Sequence, residues 1–351
     1  MSTPMYAKDQ PAGFTNRIER VAIVGAGGKI GKPITDALVA EGKHTITVLT
    51  REDSETQLPR GVKVARVNYE KEESVISALR GQQFLLIAMA TTAPPGSQEK
   101  IIAAAAKAGV PWVMPNAYGS DIYNESLGKD TMMGPGIKSG IKAVEDGGVS
   151  SWIALTCGVW FEFSLAMGPW WFGIDFANKR IEQCDNGNTL INTSTWEQCG
   201  RAIASLLSLK ELPEDEEDTS PSISQWRNRA LTISSFQISQ RDILDSVNRV
   251  KGLTNADWQI QQEPSHVRYQ RGLNLLKTGN RLGFALALYA RIFYPNGGAN
   301  FEATQALDNK ILGLPKEDLD EATRRAIGMV DAGFNPLGDY TADHPIESSS
   351  N

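Results

Sequence analysis

The sequence predicts an α/β protein: a Rossmann-type, doubly wound parallel sheet followed by a smaller C-terminal α/β part that takes substrate. Three observations carry that expectation. Between Val21 and Cys157, short apolar runs alternate with segments of helical spacing. The first run passes through a glycine-dense loop straight into a helix. The fourth, residues 84–90, is apolar without a break, as a strand covered on both faces must be.

The first strand, residues 21–24, is followed by Gly25, Gly28 and Gly31 with Lys29 and Ile30 between them, and then by a helix that starts near Pro33. Each glycine has its own task in such a unit. Gly25 turns the chain off the strand, Gly28 removes a side chain where a pyrophosphate approaches, and Gly31 lets helix and sheet pack closely. The first N–H groups of the helix then face the phosphates, and Gly25, Gly28, Lys29, Ile30 and Gly31 are the cofactor-binding residues expected here. At the end of the second strand, residues 45–50, an acid would grip the ribose 2′-OH of NAD, but Thr50-Arg51 stands there. A guanidinium beside a hydroxyl suits a 2′-phosphate, so the reading favours NADP(H) over NAD(H).

A third strand is expected over residues 62–67, a helix over 73–80, and an alanine-rich helix over 98–108 that Gly109 stops. The fifth strand is 112–115, a helix spans about 136–146, and the sixth strand is 152–157. Ligands of such sheets lie outside the carboxyl ends of the strands, which places the chemistry at residues 89–92, at 115–120 and after Cys157. Beyond Gly158 aromatic residues crowd together. Trp160, Phe161 and Phe163 read either as an aromatic pocket for a flat organic substrate or as core joining two parts of the protein, and both can hold at once. Further on, Thr195 and Ser239 can cap helices, residues 211–221 read as an acidic exposed loop, and helices are expected near 264–277, 282–294 and 318–331. The division expected is a flexible tail (1–19), a dinucleotide-binding domain (20–158), a mainly helical substrate part (159–346) and a frayed end (347–351).

Composition narrows the function classes. A chain of 351 residues, 41% hydrophobic, can bury a sizeable core, and a net charge of −6 speaks against nucleic acid as a partner. Three cysteines without tight spacing suit a reducing, cytoplasmic setting, and three scattered histidines leave no metal site in prospect. The apolar stretch 282–294 is broken by Arg291 and is shorter than the roughly 20 residues a bilayer needs, so no membrane is expected. The partner expected is a small aromatic substrate, with the protein a monomer or homodimer.

No tyrosine is followed by lysine at the Tyr-x-x-x-Lys spacing by which short-chain dehydrogenases pass a proton to substrate. The glycine spacing, Thr50-Arg51, Pro115-Asn116-Ala117-Tyr118-Gly119 and Val144-Glu145-Asp146-Gly147-Gly148-Val149 together resemble the NmrA-like and isoflavone-reductase-like atypical short-chain dehydrogenases, with the best likeness from Arg20 to Trp160. Residues 150–153 and 160–165 are similar to a subgroup of oxidoreductases of secondary metabolism. The resemblance implies a catalytic lysine on the helix before the sixth strand. Its position falls at Ile137, so Lys138 is the candidate, with Lys142 one turn along as the alternative. It also places Tyr118 near the nicotinamide, to stack or to donate a proton. Two functions follow: an NADPH-dependent reductase of an aromatic or conjugated compound, polyketide- or phenylpropanoid-like, or a dinucleotide-sensing regulator without redox turnover.

Overall fold

The computed structural model describes residues 6–90 and 93–336. Seven strands make the expected sheet: β1 (Arg20–Val24), β2 (Thr45–Arg51), β3 (Lys63–Val67), β4 (Phe84–Ile87) and β5 (Trp112–Met114), then β7 (Ser151–Thr156) and, much later, β12 (Arg229–Thr232), with the two-residue β6 (Tyr118–Gly119) beside β7. Their order is β3-β2-β1-β4-β5-β7-β12, and every neighbouring pair is parallel. The strand order reverses between β1 and β4, where Val24 lies opposite Ile87. A crevice for a ligand opens at that place in sheets of this kind.

Side chains alternate across the strands and so build two cores. Val21 and Ile23 of β1, Phe84 and Leu86 of β4, and Trp112 and Met114 of β5 face one side, while Ala22, Val24, Leu85, Ile87 and Val113 face the other. Helix α1 (Gly31–Glu41) covers the first side with α7 (Trp196–Leu207), and a Cβ on Gly200 would lie 2.5 Å from the Pro33 carbonyl oxygen. The second side is covered by α2 (Glu72–Leu79), α3 (Ser97–Ala108) and α5 (Gly134–Gly147), whose Ile137 and Val144 point inward. Short α4 (Glu125–Asp130) leads into α5.

A third core lies outside the sheet. It packs α6 (Phe161–Ala166), α8 (Gln240–Lys251), α10 (Leu282–Ile292) and α11 (Leu319–Asp331) around Trp170, Trp171 and Phe172. Two small sheets flank it: β10 (Arg180–Cys184) between β9 (Ile174–Asp175) and β14 (Gln259–Glu263), and β11 (Ile191–Ser194) between β8 (Val159–Trp160) and β13 (Phe236–Ile238). Helix α9 (Ser265–Lys277) runs against α10, with Gly272 and Gly283 at the crossing, because a Cβ on Gly283 would come within 2.4 Å of the Gly272 carbonyl oxygen. The buried carboxylate of Glu182 is held by Arg180 (2.9 Å), Arg271 (3.2 Å) and Arg268. Burial pushes this acid's pKa up, but the three arginines outweigh it and hold the pKa below its ordinary value.

The boundaries drawn from sequence meet two structural facts. The sheet is not confined to residues 20–158, since α7 and β12 return to it from the later part of the chain. Of the expected tail, residues 6–19 are not loose. The Asn16 side-chain amide donates to the Leu212 carbonyl (2.9 Å) while its oxygen accepts the Leu212 N–H (2.8 Å), and Ile18 is buried. Residues 1–5, the expected frayed end and Thr91-Thr92 lie outside the described residues. Among the described residues, no helix is long and apolar enough to cross a membrane, and the three cysteines are buried and free.

Candidate functional site

The glycine loop sits at the switch point of the sheet. Gly25 has φ +84°, and a Cβ on it would fall 2.1 Å from the Ala88 carbonyl oxygen at the end of β4. No residue but glycine fits. Gly31 opens α1 so close to the loop that its Cβ would lie 2.0 Å from the Gly25 oxygen. A Cβ on Gly28 would meet the Gly25 oxygen at 3.2 Å, and the Gly28 N–H closes the turn on that oxygen at 2.9 Å. Ile30 sends its side chain into the core, so its contribution to a ligand is its backbone. Helix α1 has no side-chain cap at its N-terminus, which leaves that end to an anion from outside. The residues present therefore fit a dinucleotide pyrophosphate: a cradle without side chains, at a helix start, at the sheet's switch point.

Thr50 and Arg51 end β2, the neighbour of β1. The Arg51 side chain is 74% exposed, and its Nε stands 3.9 Å from Asp53. Two groups that the sequence reading passed over fix the loop that carries it. The Tyr69 hydroxyl donates to the Leu49 carbonyl (3.0 Å), and Arg66 Nη1 donates to the carbonyls of Arg51 (3.3 Å), Glu52 (2.8 Å) and Ser54 (3.1 Å). Burial pushes the Tyr69 phenol up to about 12, so it stays a donor. Arg66 sits opposite Thr50 in β3, a pairing that only the sheet register reveals.

The ends of β4 and β5 are tied together by Asn116, whose amide donates to the Met89 carbonyl (3.1 Å) and whose N–H reaches Gln98 (2.6 Å). Tyr118 follows in β6. Its hydroxyl is buried and has no hydrogen-bond partner, and burial pushes the phenol well above its ordinary pKa. It is a protonated donor without an acceptor. Lys138 lies on the exposed side of α5 and pairs with Glu125 (2.8 Å), its side chain 58% exposed, at the rim of a cavity of about 120 Å³ between residues 120–129 and the start of α5. Its neighbour Ile137 faces the core. Lys142 pairs with Asp146 of its own helix at 2.7 Å, which raises its pKa. Tyr118 and Lys138 are thus not joined by a hydrogen bond.

The aromatic residues after Gly158 divide between two places. Phe161 is a correction to the expected pocket: it is fully buried, its ring 5.5 Å from Phe236 and 6.1 Å from Phe172, because α6 turns that face into the third core. Trp160 and Phe163 are partly exposed and stand 6.1 Å apart. Trp196 and Phe334, far along the chain, complete a wall of rings with them. Lys29 reaches from the glycine loop to place its ammonium 5.0 Å from the centre of the Phe163 ring. Burial lowers its pKa. The glycine loop and the aromatic wall are therefore one neighbourhood, bridged by Lys29.

Comparison with known proteins finds relatives along most of the chain. Residues 18–130 match the model of the NmrA-like family. Over 307 residues the chain is 25% identical to oxidoreductase aprR of Aspergillus flavus, covering 86% of this chain and 96% of that protein. It is 23% identical over 311 residues to oxidoreductase poxI of Penicillium oxalicum, covering 87% and 92% respectively. Among solved structures, isoflavone reductase superposes with a TM-score of 0.66 at 18% identity, covering 88% of this chain and 99% of that one. AtPrR2 with NADP+ and (+)pinoresinol gives 0.68 at 15% identity, covering 89% and 99%. The likeness to NmrA-like and isoflavone-reductase-like proteins holds, and with it the Rossmann-type fold.

Proposed function

We propose that this protein is an NADPH-dependent reductase of an aromatic or conjugated small molecule, polyketide- or phenylpropanoid-like, in secondary metabolism. The observation that carries the reading is the meeting of a side-chain-free phosphate cradle with a partly exposed aromatic wall at the switch point of the sheet. The oxidoreductases aprR and poxI, matched over most of their length, support it. So do structural neighbours such as the Escherichia coli quinone oxidoreductase complexed with NADPH.

Bound NADPH supplies the hydride. Gly25, Gly28, Ile30 and Gly31 take the pyrophosphate on backbone groups, and Thr50 and Arg51 take the 2′-phosphate. Trp160 and Phe163 hold the flat substrate by ring contact and keep water from its face. Tyr118, a buried donor lacking an acceptor, offers its hydroxyl to a substrate or nicotinamide oxygen. Lys138, once released from Glu125, handles the proton. On this reading residues 20–158, completed by the later strand, form the dinucleotide-binding domain, and the remainder the substrate part. The enzyme works in the cytoplasm as a monomer or homodimer.

One observation favours the second reading, a dinucleotide sensor without turnover: the two proposed proton-handling groups are apart, one buried and one paired at the surface. Loss of NADPH absorbance with a panel of quinones, enones and aromatic ketones separates the two. Turnover of any member is expected. Tight NADPH binding without turnover across the panel would favour the sensor.

A further inference from the structure

We infer that Lys29 and the aromatic wall form a subsite for a planar aromatic ligand that carries an acidic oxygen, as a phenolate, enolate or carboxylate; the inference rests on the reductase reading and names the substrate class of that same site. Four rings make the wall. Phe163 is in contact with Trp160 (6.1 Å), Trp196 (6.2 Å) and Phe334 (6.3 Å), and all four rings are partly exposed, whereas Phe161, Trp171 and Phe172 behind them are buried. Rings left half open beside a cofactor loop offer a face to something flat.

The polar groups on the wall state what the edge of that ligand must be. Lys29 is exposed, its Nζ rests over the Phe163 ring, and among the described residues no carboxylate is bonded to it. A cation resting on a ring face gives up hydration on that side without gaining a counter-ion. The lowering of its pKa by burial is the sign of that deficit. The nearby acids are already engaged: Glu162 accepts from Arg325 (2.9 Å), and Glu317 accepts from Arg201 (2.6 Å) and from Thr195 (2.8 Å). The indole N–H groups of both Trp160 and Trp196 are buried without an acceptor. Those N–H groups are closed off from a ligand, so what the wall offers one is the Lys29 cation, to which no carboxylate is bonded. An anionic aromatic supplies that cation with a counter-ion; a cationic one meets repulsion.

The test uses the full chain saturated with NADP+ and two probes of one shape, 2-naphthoate and 2-naphthamide, titrated by calorimetry. The naphthoate is expected to bind at least about tenfold tighter, equivalent to about 1.4 kcal/mol. Lys29→Met should bring the two within about twofold, and Lys29→Arg should keep the preference. Lys29→Gln serves as a second neutral variant should the methionine variant fail to fold. Equal affinities in the unaltered protein, binding of neither probe, or a preference that survives loss of the charge would overturn the inference. So would a Lys29→Met protein that keeps the naphthoate preference while losing NADP+, since Lys29 would then serve the cofactor. If the unaltered chain takes up no NADP+, the reductase reading falls by itself, and the same probe pair on the dinucleotide-free chain still decides the subsite.

Discussion

At the scale of single residues, the account turns on side chains whose surroundings limit what they can do. Arg51 is free in water apart from a loose approach to Asp53, so a 2′-phosphate meets no strong competitor for it. Arg51→Ala should weaken NADPH binding by about 1.5–3 kcal/mol, the range for a charge-assisted hydrogen bond, and NADH binding far less. Titration of both cofactors against both proteins checks this, and an equal loss for the two would remove Arg51 from the 2′-phosphate site. Lys138→Ala should cut turnover of a true substrate by about 10²- to 10⁴-fold with NADPH affinity nearly kept. Lys142→Ala should be mild, since its ammonium is engaged by Asp146 one turn along the same helix. Steady-state kinetics of the two variants decide between them, and near-normal turnover in the first would leave Lys138 as a partner of Glu125 and nothing more.

At the scale of elements, the glycine loop is a piece of geometry before it is a site. Gly28 has a negative φ and the most room of the three glycines for a side chain, so Gly28→Val should fold yet lose the dinucleotide, its isopropyl group filling the cradle. Calorimetry with a melting curve as control tests both halves, and retained affinity would make the loop a turn only. Helices α8 and α11 are joined by Arg249, which bonds Asp320 at 2.7 Å and 2.9 Å, and by Ser246 at 2.6 Å. The Arg249 hydrogen bond pulls the Asp320 carboxyl down to about 2 against the opposing effect of burial, and Ser246 adds to the pull. An unfolded aspartate titrates near ~3.9. Folding is therefore helped above about pH 4, and that help is lost as pH falls toward about 2. The melting-temperature advantage of the unaltered protein over Asp320→Asn should be present at neutral pH and vanish in strong acid; a difference that does not change with pH would contradict it.

These elements were legible in the sequence to the degree that their signals are local. The first strand, its glycine turn and its helix lie within about twenty consecutive residues, and α9, α10 and α11 begin within a residue or so of where apolar periodicity placed them. Six short strands escaped notice, β6, β8, β9, β10, β11 and β13, because two to five residues carry too little alternation to read. The burial of Phe161 next to the partial exposure of Phe163 follows from which way α6 faces, and six residues do not state that in advance.

At the scale of the whole molecule, the organisation depends on contacts far apart in the chain. Residues 229–235 read as strand-like in the sequence, but the place of β12 beside β7 in the sheet could come only from the fold. The aromatic wall is likewise assembled from residues near 160, at 196 and at 334, so half of it was invisible to any local reading. The long-range organisation brings the aromatic wall against the glycine loop of the sheet, with Lys29 between them. A direct test of the central claim is a calorimetric titration of the full chain with NADPH and with NADH. The account predicts binding at one site per chain, at least about tenfold tighter for NADPH, from the 2′-phosphate that Thr50 and Arg51 would hold. Absence of binding, or a preference for NADH, would contradict it.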